Sequence, residues 1–172
     1  MRKHQDLAHY LFQDYAVNRG YPKSQFVLIL FRTATLLRQS SRFSAIAFIY
    51  YAAYRFIVEW MLNIELPWAT QVGPRLRLYH GQGLVINPHS TIGADVVLRH
   101  GVTIGNRQSD SDCPTLADGC DIGACSLLLG AIRIGARSKV AAGAVVVRDV
   151  PAGAIVAGNP AKIVRGAPRE DQ

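Results

Sequence analysis

Residues 86–104 read Ile86-Asn-Pro-His-Ser-Thr-Ile92-Gly-Ala-Asp-Val-Val-Leu98-Arg-His-Gly-Val-Thr-Ile104. An aliphatic side chain returns at every sixth residue. The series runs on through Leu116, Ile122, Leu128, Ile134, Val140 and Val146, and only the slot at Asp110 breaks it. Glycine follows the aliphatic residue at Gly93, Gly105, Gly123 and Gly135. Four residues after the aliphatic sits a small or β-branched one: Ser90, Val96, Val102, Cys120, Ser126, Ile132, Ser138, Ala144 and Val150. A helix repeats at about 3.6 residues and a strand at about 2, so neither explains this spacing.

A hexapeptide period is the mark of a parallel β-helix. Three short strands close a triangular coil, and roughly 18 residues bring the chain back above itself. Stacked coils then pair as parallel strands about 4.8 Å apart. The aliphatic series points inward, and the glycines are expected at corners where φ is positive. The fold class is mainly β: a left-handed parallel β-helix with an N-terminal α-helical segment. Residues 1–63 read as the helical segment, 64–166 as the β-helix and 167–172 as a frayed tail.

Two places break the period. Leu66, Val72 and Leu78 also step by six, but the main series resumes at Ile86, eight residues after Leu78. Two residues are therefore extra, and Gly81-Gln82-Gly83, directly after His80, is the place for them. A bulge in a regular solenoid re-aims a side chain. A break in local regularity is where function is expected. His80 lies two residues past Leu78, and His100 two past Leu98. Allowing for the bulge, they are one coil apart and stack on one outer edge. Glu65 sits one coil earlier, within reach of His80. A histidine held by a carboxylate is the arrangement of a general base. His4, His9 and His89 have no such context and read as surface residues.

The second break is Arg107 to Thr115. Gln108 to Asp112 is a polar loop that re-enters the coil at Pro114, and such a loop on a solenoid is commonly a binding loop. Whether it replaces two hexapeptides or is inserted beside one is open at this point. Cys113 reads as part of a substrate wall or as structural, since no histidine is near it in sequence. At the far end, Ala157-Gly-Asn-Pro-Ala-Lys-Ile-Val-Arg165 allows a tight turn. Lys162 and Arg165 then supply charge for phosphate.

Before the repeats, Asp6 to Tyr15 reads as a helix with Leu7, Tyr10 and Leu11 on one face, broken by Asp14. Asn18 to Pro22 is a turn. Lys23 to Leu37 carries the apolar run Phe26 to Phe31. Ser40-Ser41 ends it, with Ser41 an N-cap. Phe43 to Leu62 is 20 residues long with Arg55 and Glu59 as its charges. That length suits a bilayer span. The i,i+4 pair argues instead for a helix that keeps both charges on one face, buried or facing a second subunit, with contact to a membrane surface as the further reading.

Composition sets the limits. The chain has 172 residues and a net charge of +7. Residues 1–63 hold 8 basic and 3 acidic residues, and the remainder 11 and 9. No Lys/Arg block or aromatic-basic motif points to nucleic acid. Anionic substrates, coenzyme phosphates or a membrane surface fit the excess better. Cys113, Cys120 and Cys125 make neither a disulfide framework nor a paired CxxC metal motif. With no signal-peptide pattern at the N-terminus, a reducing cytoplasm is expected. A metalloenzyme built on three stacked histidines is not expected, since only His80 and His100 align.

The repeats, Leu-Tyr-His80-Gly-Gln-Gly, Val-Thr-Ile-Gly105-Asn and Ala-Gly-Asn-Pro-Ala-Lys162 together resemble the hexapeptide acyltransferases of the serine acetyltransferase type, over about residues 64–166. The resemblance implies a homotrimer with active sites between subunits and acetyl-CoA as donor, with no metal. It places His80 on the catalytic histidine and Glu65 on its acidic partner. It places Gly105, Asn106, Ala124, Lys139, Ala142 and Lys162 along the coenzyme groove. A backbone N–H near Gly105 would steady the oxyanion. The departures are specific. Tyr79 stands where the family has its serine-binding aspartate, and Asp112-Cys113 where it has an arginine-histidine pair. The helical segment is short, and the chain ends in Gln172 rather than isoleucine. Arg-His100-Gly-Val-Thr-Ile-Gly-Asn-Arg, Cys-Pro and the short basic helices are more similar to the colanic-acid-type polysaccharide O-acetyltransferases. That implies a saccharide acceptor, with His100, Tyr79, Asp112 and Cys113 toward it. A lipid-linked acceptor would hold the protein at the inner face of the membrane. Serine O-acetyltransferase is the first alternative. A non-catalytic scaffold is the second, because a fold does not fix a function.

Overall fold

The computed structural model describes residues 2–40 and 45–166. Ser41 as a cap, Phe43 as a helix start and the tail 167–172 lie outside the described residues. Three helices come first: α1 (Arg2–Phe12), α2 (Pro22–Ser40) and α3 (Ala45–Tyr54). Pro22 opens α2, where its fixed φ suits the first turn and its missing N–H costs nothing. The expected single helix to Leu62 is corrected. Regular α-helix stops at Tyr54, and residues Arg55–Met61 wind as a π-helix that feeds the first strand. The Arg55–Glu59 pair does form across one turn, at 3.1 Å.

Among the described residues fifteen short strands follow, and they stack into three faces of a left-handed β-helix. Face A holds β1 (Ile64–Glu65), β4 (Leu84–Ile86), β7 (Thr103–Gly105), β10 (Leu127–Leu129) and β13 (Val145–Val146). Face B holds β2 (Gln71–Val72), β5 (Thr91–Ile92), β8 (Thr115–Leu116) and β11 (Arg133–Ile134). Face C holds β3 (Arg77–Tyr79), β6 (Val97–Arg99), β9 (Asp121–Ile122), β12 (Lys139–Val140), β14 (Ile155–Gly158) and β15 (Ala161–Arg165). All neighbours pair in parallel except β15, which turns back antiparallel on β14. The ten series aliphatics are all buried, and the residues four positions on make a second buried column.

Register locates both irregularities. Leu78 pairs with Leu98, but Val85 pairs with Thr103. The first coil is therefore 20 residues long where the second, across that corner, is 18, and the two extra residues fall between Leu78 and Leu84. Ile92 pairs with Leu116, and Thr103 with Leu127, both at a separation of 24. The 107–115 loop thus adds one hexapeptide length beside the coil, which is why the series regains its phase at Leu116.

The glycine expectation needs correcting. Gly93, Gly123 and Gly135 are not among the positive-φ residues. What they require is space: a Cβ on Gly123 or Gly135 would collide with the backbone of Ala142 or Ala152 in the next coil. The left-handed corners fall instead on residues such as Gly101, Gly119 and Gly143.

The helices close the open end of the prism. β3 is the terminal strand of face C, so one of its edges has no strand partner. Side chains supply what a strand would. Asn18 accepts from Leu78 N at 2.9 Å and donates to Leu76 O at 2.8 Å. Asp14 accepts from Leu76 N at 2.9 Å, and Ser24 donates to Leu78 O at 2.8 Å. Arg32 donates to Val72 O and Gly73 O, each at 2.7 Å, and pairs with Asp14 at 2.8 Å. An unpaired edge invites the wrong partner, and this cap removes it.

Candidate active site

The corner between faces C and A carries His80 and His100, their rings 6.1 Å apart and edge to face. Both side chains are exposed in the single chain. They share a position in the coil but not a conformation. His80 has φ +67°, followed by Gly81 at +71° and Gly83 at +67°, whereas His100 is not in the left-handed region. Such a conformation costs a non-glycine residue about 1–3 kcal/mol and persists only where its surroundings impose it. The bulge does so. Gly83 N donates to Asn63 O at 2.7 Å, and Gly101 N to Gln82 O at 2.8 Å. With its amide turned so that Nε2 donates to His80 O at 3.0 Å, Gln82 accepts from Lys23 Nζ at 3.1 Å. Partial burial holds the Lys23 pKa below its ordinary value.

Tyr79, His80, Arg99 and His100 line a shallow depression of about 290 Å³. Two guanidinium groups lie over the Tyr79 ring, Arg77 at 4.5 Å and Arg99 at 5.3 Å from its centroid. Arg99 pairs with Asp121 and donates to Ile122 O at 3.1 Å. Tyr21, in the turn before α2, packs edge-on against both Tyr79 (5.1 Å) and His80 (5.8 Å). Sequence reasoning missed Tyr21, Lys23, Arg77 and Arg99. Arg77 and Arg99 fall at outward positions of the period, so the repeat could have placed them beside Tyr79. Nothing local in the sequence marks Tyr21 or Lys23.

The other expected residues distribute over the prism. Glu65 is exposed on β1, and no hydrogen bond or ion pair joins it to His80 in the single chain. Ala124 and Ala142 continue the corner of His80 and His100, where Cys125 N donates to His100 O and Gly143 N to Ala124 O. Lys139 and Lys162 are exposed on face C. Gly105 and Asn106 lie at a different corner, between faces A and B, where Asn87 Nδ2 donates to Asn106 Oδ1 at 3.3 Å.

The 107–115 loop leaves from that second corner too, so Asp112 and Cys113 are separated from His80 of the same chain by the width of face A. Asp112 is tied into its own loop. Its carboxylate accepts from Arg107 N (2.9 Å), Gln108 N (2.9 Å) and Ser109 N (3.2 Å). These bonds, that from Arg107 first, hold its pKa below the ordinary carboxylate value. Burial raises the pKa of the Cys113 thiol, and its Sγ donates to Asp110 O at 3.5 Å. Neither feature suits a nucleophile. Cys120 is buried in the core with its pKa also raised by burial. Among the described residues, no cluster of three or more His, Cys, Asp or Glu is arranged to hold a metal ion.

Comparison with known proteins gives this geometry a context. No family model matches the chain. It is 40% identical over 113 residues to serine acetyltransferase 2 of Arabidopsis thaliana, covering 64% of this chain and 35% of that one. It is 40% identical over 111 residues to the putative colanic acid biosynthesis acetyltransferase WcaB of Escherichia coli, covering 64% of this chain and 68% of that one. The chain thus spans about a third of the plant relative and about two thirds of the bacterial one. Among solved structures, serine acetyltransferase of Brucella abortus in complex with coenzyme A superposes with a TM-score of 0.83 at 27% identity, covering 97% of this chain and 71% of that one. Repeat, register and relatives agree: the chain belongs to the hexapeptide-repeat acyltransferases of the serine acetyltransferase type.

Proposed function

We propose that the protein is an O-acetyltransferase that moves an acetyl group from acetyl-CoA to a sugar hydroxyl in exopolysaccharide synthesis of the colanic-acid type. The observation that carries this reading is the surface beside His80. An aromatic ring, Tyr79, stands there with two arginines over it. Sugar hydroxyls can accept from guanidinium N–H groups at such a surface, whereas the ammonium of serine would meet like charge. Asp112, which stands where the family has its arginine, is occupied by its own loop.

In this reading His80 Nε2 or Nδ1 takes the proton of the acceptor hydroxyl as its oxygen attacks the thioester carbonyl. The C–S bond then breaks, and the proton passes from the imidazolium to the departing coenzyme thiolate. Glu65 orients the base. Lys139 and Lys162 meet coenzyme phosphates, while Ala124 and Ala142 leave room along the corner. Gly105, Asn106, Asp112 and Cys113 come from a neighbouring copy of a homotrimer, which is what their placement at another corner requires. The deciding experiment measures CoA release from acetyl-CoA with serine and with a panel of sugars and oligosaccharide repeat units. Release with a saccharide only is expected. Release with serine only would replace this reading by serine O-acetyltransferase, which the similarity to that enzyme favours. No release with any acceptor, together with no acetyl-CoA binding, would leave a scaffold.

The same reading places the protein on an anionic membrane surface. No helix among the described residues is long and apolar enough to cross a membrane. Yet Ile46, Phe48 and Trp60 are 75%, 75% and 74% exposed, beside exposed Ile49, Phe56 and Met61. Exposed apolar side chains within the more basic part of the chain are what a lipid interface binds. Vesicles containing phosphatidylserine should co-sediment the protein at low salt. The pair Phe48→Ser and Trp60→Ser should release it. Equal pelleting of wild type and variant, or none of either, would assign that face to contact between copies.

A further inference from the structure

We propose that Lys23 is a positioning residue for the reaction: through the Gln82 amide it holds the backbone bulge that aims His80. The inference rests on His80 as the base, and not on the identity of the acceptor. The corner shows why such support is needed. At His100 the main-chain oxygen accepts from Cys125 N of the next coil, at 3.0 Å. β3 and β6 run in register through Tyr79 and Arg99, so the equivalent donor for His80 O would be Gly101 N. The two-residue bulge hands that donor to Gln82 O instead, at 2.8 Å. The His80 carbonyl thereby loses its place in the ladder, at a residue already held at φ +67°. The Gln82 side chain supplies the missing donor, Nε2 to His80 O at 3.0 Å.

Lys23 decides whether that donor is available. Turned the other way, the Gln82 amide would set its oxygen against the His80 carbonyl and its nitrogen against the Lys23 ammonium. An ammonium only donates, so it admits the amide in the one orientation that serves His80. Lys23 is itself held in place. It is the second residue of α2, next to Ser24, whose hydroxyl donates to Leu78 O at 2.8 Å. Tyr21, just before the helix, packs edge-on against the His80 ring at 5.8 Å. The start of α2 thus reaches the base twice, at its ring and, through Gln82, at its main chain. Rate depends steeply on such placement: about 1 Å of misplacement can cost about 10²-fold.

The test measures kcat and KM as CoA release from acetyl-CoA, with serine or the saccharide that turns over as acceptor. Lys23→Met should lower kcat by about 10-fold, the scale of one lost hydrogen bond, with the KM for acetyl-CoA and for the acceptor nearly unchanged. Lys23→Arg, which keeps a cation that only donates, should recover most of the loss. Lys23→Glu should lose more than Lys23→Met, because its carboxylate would accept from Nε2 and turn the Gln82 oxygen toward His80 O. Residues that act as one unit are not additive. Lys23→Met should therefore cost nothing further when added to Gln82→Leu, or to the residual turnover of His80→Asn. Unchanged kcat in Lys23→Met, with His80→Asn still crippled, would overturn the inference and leave the base in place. A raised KM at unchanged kcat would also overturn it, and give Lys23 to a ligand. The same fold-loss in the His80→Asn background would overturn it too, since a purely structural role is indifferent to the imidazole. Turnover near wild type in His80→Asn, or none in wild type, would instead remove the base on which the inference rests.

Discussion

Replacing His80 should lower kcat by about 10²- to 10⁴-fold, the usual contribution of a positioned general base, and should leave the fold in place. The choice of replacement matters. His80 has φ +67°, a conformation that asparagine accepts better than alanine. His80→Asn therefore removes the base while keeping the bulge, and His80→Ala removes the base with added backbone strain. Equal losses from both would assign the effect to the imidazole. A larger loss from alanine, with a lower melting temperature, would measure what the left-handed corner contributes. Because the side chain is exposed and its backbone is tied by Gly83, Gln82 and Gly101, neither variant should unfold the coil. His100→Ala should cost less, since His100 sits in an ordinary corner with no bulge aiming it. Turnover near wild type in His80→Asn, measured as CoA release with a working acceptor, would remove His80 from the chemistry.

The repeat made the β-helix readable because each coil presents the same test to the sequence. One inward aliphatic per face and one small residue per corner must recur, and deviations stand out against that background. The bulge after His80 and the loop after Asn106 were both visible as losses of phase. Their paths were not equally visible. Two glycines pointed to the first insertion, but only strand register showed that the loop adds one hexapeptide length. The repeat glycines do not fit their expected conformation because positive φ is only one of two reasons for a missing Cβ. At Gly123 the other reason, close approach of the next coil, is what applies. The roles of Asp14 and Asn18 were hidden for a different reason. Their partners, Leu76 and Leu78, are about 60 residues away, and no local pattern encodes such a contact. In the sequence Asp14 shows only as a break in an apolar face. It is instead 2% exposed and the centre of the cap.

That cap supports the second large effect. Asp14→Ala should destabilise the protein by about 3–5 kcal/mol, the usual result of stranding one partner of a buried ion pair. Arg32, also 2% exposed, would lose two charge-assisted bonds at 2.8 and 3.2 Å, and Leu76 N would lose its acceptor. At about 2–4 °C per kcal/mol for a chain of this size, the melting temperature should fall by roughly 10 °C. The double variant Asp14→Leu with Arg32→Met should recover part of that loss, because two apolar side chains of similar volume leave no uncompensated charge. The recovery should be incomplete. Arg32 also holds Val72 O and Gly73 O, and Asp14 also holds Leu76 N, and a hydrocarbon replaces none of these. The consequence should reach the active site. β3 carries Arg77 and Tyr79 and leads directly into His80, and Asp14, Asn18 and Ser24 fix the edge of that strand. Amide hydrogen exchange in Asp14→Ala should therefore quicken at residues 76–80 before it quickens in the later coils. Uniform exchange along the whole prism, or a melting temperature within about 2 °C of wild type by the same scale, would mean that the helices merely lie on the β-helix and do not hold its first coil.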